Sequence, residues 1–326
     1  MTLAAILSEI SIISNHFKMG KEQAVAFLDL LAFSNHVRTN TKDAFLAFTT
    51  YRTILETKLL DNVSYSSPHY TNPVLQDLLQ RRSANSFNHF LPFSDSIFIS
   101  SDNPSLFLKQ LGSFILQCFI FTAHHYHKPD DPNNPTKVIH KLDDGTTLEE
   151  NLYPTLFRGG LAYGEVVPIE LVGIVNSLPQ KIANIAGKAV VKAVGLESKV
   201  KGPRIVFEKD LFEQLDNSAR FYTAETEVQG IYELLWPGLM YIQSNGESEI
   251  NDLNKLLIPA INLWKAYNHT PFSEHYFKFV QLVINGTLKV FRENGHNAVA
   301  TSKIKDLIIE CGLEHKINQL LKKYGS

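Results

Sequence analysis

The sequence predicts an α+β fold, a ferredoxin-like antiparallel sheet with helices packed on it, followed by a helical extension. Three observations predict it. Short apolar runs of strand character alternate with longer runs at helical spacing through the first two thirds of the chain. They come in the order strand, helix, hairpin, helix, strand, helix, strand, which an α+β sandwich produces. Beyond about residue 208 only helical periodicity remains. The 326 residues, 44% hydrophobic and 20% charged, suffice for one large domain plus an extension or for two domains, and they exclude wholesale disorder.

The elements follow in order. Leu3, Ile6, Leu7, Ile10, Ile13 and Phe17 repeat at helical spacing, giving an N-terminal helix within residues 1–21. "AVAFLDLL", residues 24–31, is a short apolar run expected to be a buried strand. Residues 34–60 read as helix with Ser34 as N-cap. Runs 86–91 and 96–100 flank "PFSD", a hairpin with Asp95 at its tip. Residues 106–127 form an amphipathic helix after "DNPS", and residues 128–150, rich in Pro, Asp, Asn and Gly, read as a surface insertion. "LFRGGLAYGEVV" reads as a strand whose glycines mark a bulge or a close approach by ligand or backbone. A helix over 186–198 and a strand in "GPRIVFE" close the domain. The expected division is 1–21, 22–210 and 211–326.

A net charge of -2 offers no polyanion-binding surface, so no nucleic acid partner is expected. Cys118 and Cys311 sit in apolar helical segments, which fits a reducing compartment rather than a disulfide framework. The N-terminal stretch has no basic leader region and carries Glu9 in mid-run, unlike a signal peptide. No uncharged apolar run reaches the roughly 18 residues of a membrane helix. The expectation is a soluble, cytoplasmic protein with no membrane partner.

Asp29 lies inside an apolar run, where an unpaired charge would cost several kcal/mol. In a ferredoxin-like sheet the first strand sits beside the hairpin, so Asp29 and Asp95 can reach one point. Two carboxylates there suit hard divalent ions, and a pair of such ions serves in-line phosphoryl chemistry. Backbone N–H groups from Leu31 to Ser34 open the next helix, where phosphates are favoured. Phe27 shares the face of Asp29 and could pack on a ribose or base, or be ordinary core. From spacing alone, Asp29 as a helix cap and Asp95 as a turn residue stand equally open.

Taken together, "AFLDLLAFS", "PFSDSIFI", "FRGGLAYGEV" and "AGKAVVKAVGLES" followed by "GPRIVF" resemble the motifs of class III nucleotidyl cyclases, over roughly residues 22–210. The resemblance implies a metal-dependent cyclase. Asp29 and Asp95 would be the catalytic metal aspartates, and Leu30 would ligate metal through its carbonyl. Ala32, Phe33 and Ser34 would contact the triphosphate. Two divalent ions per site, Mn²⁺ or Mg²⁺, and a homodimer with shared active sites are also implied.

The chain departs from the family pattern on its closing helix. The usual Asn and Arg fall at Val191 and Gly195, so the arginine that steadies the transferring phosphate is gone. Lys188, on nearly the same face, and Lys192 are the cations left on that helix; surface lysines are the alternative. The base-reading Asp aligns with Asn184, whose amide offers both donor and acceptor and can pair with a pyrimidine edge. His89 and Leu91 stand where a purine-reading lysine is usual. This combination is similar to the pyrimidine cyclases of bacterial anti-phage systems. It implies conversion of UTP or CTP to cyclic UMP or cyclic CMP, or else a catalytically inactive cyclase-fold module. Elsewhere, His124–His127 read as surface or cap, Arg158 as structural, and Arg204 as an ion-paired strand residue.

Overall fold

The structure, a computed structural model, describes residues 20–31, 48–59, 73–123, 136–141, 144–152, 154–241 and 251–321. The expected N-terminal helix lies outside the described residues except at its end, where Lys21 already begins strand β1, Lys21–Leu30. Of the expected 34–60 helix, residues 48–59 are described and are helical.

The α+β class holds. Seven strands run side by side in the order β2 (His89–Phe93), β3 (Ser96–Ser101), β1, β6 (Phe157–Val175), β8 (Ile205–Glu208), β10 (Ile231–Leu234) and β9 (Thr223–Glu225). An eighth, β7 (Leu178–Ala186), pairs with the outer half of β6. All pairs are antiparallel except β6 with β8. The predicted surface insertion folds into a separate two-stranded ribbon, β4 (Thr136–Lys141) with β5 (Thr147–Leu152).

Two readings of the sequence differ from the structure. Residues beyond 208 are not wholly helical, since β9 and β10 carry the sheet past residue 210. Both are short and lack alternation long enough to register as strands. The β6–β7 arm is the other. It turns at Asn176 and Ser177, with φ of 50° and 65°. Two left-handed residues joining paired strands match a two-residue hairpin, for which Asn is favoured.

The two faces of β1 build two cores. Ala24, Ala26, Leu28 and Leu30 face the helix Pro104–Thr122, through Phe107, Leu111 and Phe114, in a core that continues into the C-terminal helices at Phe279 and Val283. Asn103 caps that helix, its side chain accepting from the Leu106 N–H at 3.1 Å. The helix has the length and hydropathy to cross a membrane, yet its apolar window is 72% buried inside the fold. The opposite face of β1, with Val25 and Phe27, packs under the helix Lys188–Glu197 through Ala189, Ala193 and Leu196. The glycines of "RGG" permit that layer. A Cβ on Gly160 would sit 2.0 Å from the Ala193 carbonyl oxygen, and one on Gly159 would sit 2.2 Å from that of Phe27. Close approach of backbone explains them.

Arg204 is ion-paired as expected, but wholly buried. Its Nε donates to Glu233 at 2.6 Å, and its two terminal nitrogens donate to the Glu227 carboxylate at 2.8 and 2.9 Å. Lys278, from the helix Ser273–Glu293, reaches the same Glu227 at 3.4 Å, so the cluster ties sheet to extension.

Candidate active site

Sheet register assembles the site. Asp29, next to last in β1, lies opposite Ser96 of β3 on one side and Arg158 of β6 on the other. Asp95 occupies the tight β2–β3 turn, after Ser94 at φ 55°. Its carbonyl accepts from the Leu30 N–H at 3.0 Å, which ties the turn to the end of β1. That backbone bond sets the Asp95 turn beside the end of β1 that carries Asp29, and the charge of Asp95 acts on Asp29.

Asp29 accepts a 3.2 Å hydrogen bond from the Ser96 hydroxyl on Oδ1. Its Oδ2 takes both Arg158 Nε at 3.0 Å and a terminal guanidinium nitrogen at 2.9 Å. Arg158 also ion-pairs with Glu197, in the last turn of the Lys188–Glu197 helix. Burial pushes the Asp29 carboxyl above its ordinary range; Arg158 works against that, and the charge of Asp95 adds to it. Glu197 is raised too, first by burial and also by the charge of Asp29, against Arg158. Two carboxylates, Asp29 and Glu197, thus share one guanidinium, and the charge of Asp95 acts on the first of them. Such a site is short of positive charge, and a cation is what would relieve it.

The donors fit a hard divalent ion. Asp29, Asp95 and the Leu30 carbonyl offer oxygen only. Among the described residues no three His, Cys, Asp or Glu side chains gather as a metal cage.

The other predicted residues fall as follows. Phe27 lies on the face of Asp29, half-buried, with its ring centroid 5.0 Å from that of Phe98. On the same face His89 Nδ1 and the Ser100 hydroxyl share a 2.7 Å hydrogen bond, and Leu91 is half-buried. Ala32, Phe33 and Ser34 lie outside the described residues.

Asn184 and Lys188 are not brought to Asp29 within one chain. Asn184 faces Ile169, eleven residues along β6 from Arg158, on the order of 35 Å at strand rise. Lys188 begins the helix that Glu197 ends, roughly 13 Å away along its axis. Lys188, Val191 and Gly195 do share one exposed helix face. Lys192 is held elsewhere, by Asp210 at 2.5 Å and Glu208 at 2.8 Å.

Sequence reasoning set Arg158 aside as structural and used Glu197 only to align the helix. The structure puts both beside Asp29. The signal that would have found Arg158 is its register opposite Asp29, two positions before the close-packed Gly160.

No protein-family model and no curated protein matches the sequence. Among solved structures the chain is similar to the guanylyl cyclase Cya2, at 12% identity over 67% of this chain and 94% of that one, with a TM-score of 0.40. It is also similar to the adenylyl cyclase CyaB from P. aeruginosa, at 12% identity, 66% and 94% coverage and a TM-score of 0.38. A bacterial light-regulated adenylyl cyclase follows at 13% identity, 80% and 68% coverage and a TM-score of 0.41. Likeness at this level says nothing about substrate.

Proposed function

We propose that this chain is a metal-dependent pyrimidine nucleotide cyclase. It would convert UTP or CTP to the 3′,5′-cyclic monophosphate and pyrophosphate. The observation that carries the reading is the pairing of Asp29 with Asp95 across β1 and the hairpin turn, in a cluster with a deficit of positive charge. Bound divalent ions would activate the 3′-hydroxyl and steady the leaving pyrophosphate. Asp29, Asp95 and the Leu30 carbonyl hold them. Arg158, held beside Asp29, would be the cation that Gly195 cannot supply. Ala32, Phe33 and Ser34 give backbone contacts to the triphosphate, and Phe27 offers an apolar wall for ribose or base.

Asn184 and Lys188 lie too far from Asp29 to serve it in the same chain, so their roles require a homodimer with shared sites. Exposed apolar side chains support that reading. Val172, Ile174 and Leu178 of the β6–β7 arm are 75, 79 and 64% exposed, and Val191 is 74% exposed. Exposed apolar patches of this kind mark interaction surfaces. The choice of a pyrimidine follows from Asn184 and from Leu91 and His89 at the usual purine-reading position. The role in cytoplasmic anti-phage signalling follows from the motif resemblance.

The test is to incubate the protein with Mn²⁺ and an equimolar mixture of the four nucleoside triphosphates and to weigh the product. Cyclic UMP or cyclic CMP is expected, and Asp29→Ala should abolish it with the fold intact. Absence of any cyclic product overturns the reading; a cyclic purine overturns only its substrate.

One observation favours a second reading, a non-catalytic module that binds nucleotide or dimerises. Arg158 holds both Asp29 and Glu197, and no arginine stands on the Lys188–Glu197 helix. That module would be stabilised by nucleotide without turnover and would be indifferent to Asp95→Ala.

A further inference from the structure

A groove of about 580 Å³ opens on the far side of the sheet from Asp29, between edge strand β9 and the helix Ser273–Glu293. A smaller hollow of about 180 Å³ shares Ala224, Glu225, Lys289 and Arg292 with it and runs inward to Leu235 and Asn285. Four strand spacings separate β9 from β1, on the order of 19 Å, so the groove is distinct from the candidate active site.

Its two walls differ in chemistry. The sheet wall is aromatic. Tyr232 stacks on Phe212 at 4.5 Å and 14°, the Arg220 guanidinium lies 4.8 Å over Phe212, and Phe221 is half-buried beside them. The helix wall is polar. Asn285, Lys289 and Arg292, spaced four and three apart, project along one helix face into the groove.

The hydrogen-bond inventory there is incomplete. Lys289 is paired with Glu293 at 3.2 Å, and Arg220 donates to the carbonyls of Phe212 and Glu213. Among the described residues, the Arg292 guanidinium and the half-buried Asn285 amide make no hydrogen bond or ion pair. A free guanidinium suits a phosphate, and an amide with donor and acceptor free suits the edge of a base. The aromatic side chains line the larger groove next to Arg292 and give it an apolar wall. The volume lies within the usual range for a small-molecule site, 300–1,000 Å³ or so.

We infer that this groove is a second ligand site, built for a mononucleotide whose phosphate meets Arg292 and whose base edge meets Asn285. It requires neither metal nor the reaction at Asp29.

Calorimetric titration of the full chain tests it, with UMP, CMP, AMP, GMP and inorganic phosphate as separate arms. Each arm is run on the wild-type chain and on Asp29→Ala, which disables the other site. One mononucleotide should bind at one site per chain in both, at least about tenfold tighter than inorganic phosphate. Arg292→Glu and Asn285→Leu should each weaken it about tenfold or more while leaving the melting temperature unchanged. Absence of binding by every mononucleotide overturns the inference. So does binding that survives Arg292→Glu, or that disappears in Asp29→Ala. Phosphate binding as tightly as any nucleotide overturns it as well, since the base would then contribute nothing. Failure here leaves the cyclase reading untouched, because turnover is assayed separately.

Discussion

Replacing Gly160 by alanine probes the contact that seats the Lys188–Glu197 helix on the sheet. The new Cβ would lie 2.0 Å from the Ala193 carbonyl oxygen and 2.7 Å from the Leu196 Cβ, where ordinary contact starts at 3.4 Å. The first obstacle is backbone, so no rotamer change relieves it. The helix must retreat by the difference, about 1.4 Å, at its C-terminal half. Overpacking of this kind costs about 1–3 kcal/mol. For a chain of this size the melting temperature should fall by roughly 1.5–4.5 °C. The same retreat carries Glu197 away from Arg158, two residues before Gly160. Misplacing a site group by about 1 Å can lower turnover about 10²-fold. Thermal denaturation reads the first effect, and cyclic-nucleotide formation with Mn²⁺ and UTP or CTP reads the second. A Gly160→Ala chain that melts within about one degree of wild type would refute the packing argument. One that melts lower yet turns over normally would refute the link from helix position to site.

Other expectations follow from the same geometry. Arg204→Met leaves Glu233 buried without its partner and should cost about 3–5 kcal/mol in urea unfolding, most of it restored by adding Glu233→Leu. Burial pushes Glu233 up to about 7, while Glu227, although burial opposes it, is held down to about 2 by Arg204. The raised Glu233 contributes stability that is complete below its ordinary 4.5 and is lost as the pH rises through about 7, so thermal stability should decline across that window and decline less in Glu233→Gln. Glu227 acts in the opposite sense, its contribution present above 4.5 and lost as the pH falls toward 2. Mn²⁺ with a non-reacting triphosphate at a hundred times its dissociation constant should stabilise the wild-type chain by about 2.7 kcal/mol, and Asp29→Asn or Asp95→Asn should remove that gain in a thermal-shift assay.

The site was legible where it depended on local chemistry. A carboxylate inside the apolar "FLDLL" demands a partner whatever the fold, and "PFSDS" marks a turn by its own residue types. Short-range pattern also located β1, the β2–β3 hairpin and the helices Pro104–Thr122 and Lys188–Glu197 to within a few residues. Arg158 was not legible, because its role rests on register. It meets Asp29 only because β6 runs antiparallel to β1 with those two residues opposite, a fact fixed by pairing across more than a hundred positions. Glu197 depends on the glycines that let its helix close onto that strand.

The sequence by itself therefore determined the fold class, an aspartate inside the apolar β1 run and another in the β2–β3 turn. These are written in periodicity, turn chemistry and residue identity, which act over a few neighbours. Only the tertiary structure decided that Asn184 and Lys188 stand far from Asp29, that a buried Arg204 cluster joins the sheet to the extension, and that Arg158 pairs with Asp29. Each of these is a distance between residues remote in the chain, and such distances are set by strand register and layer packing, which no local pattern encodes.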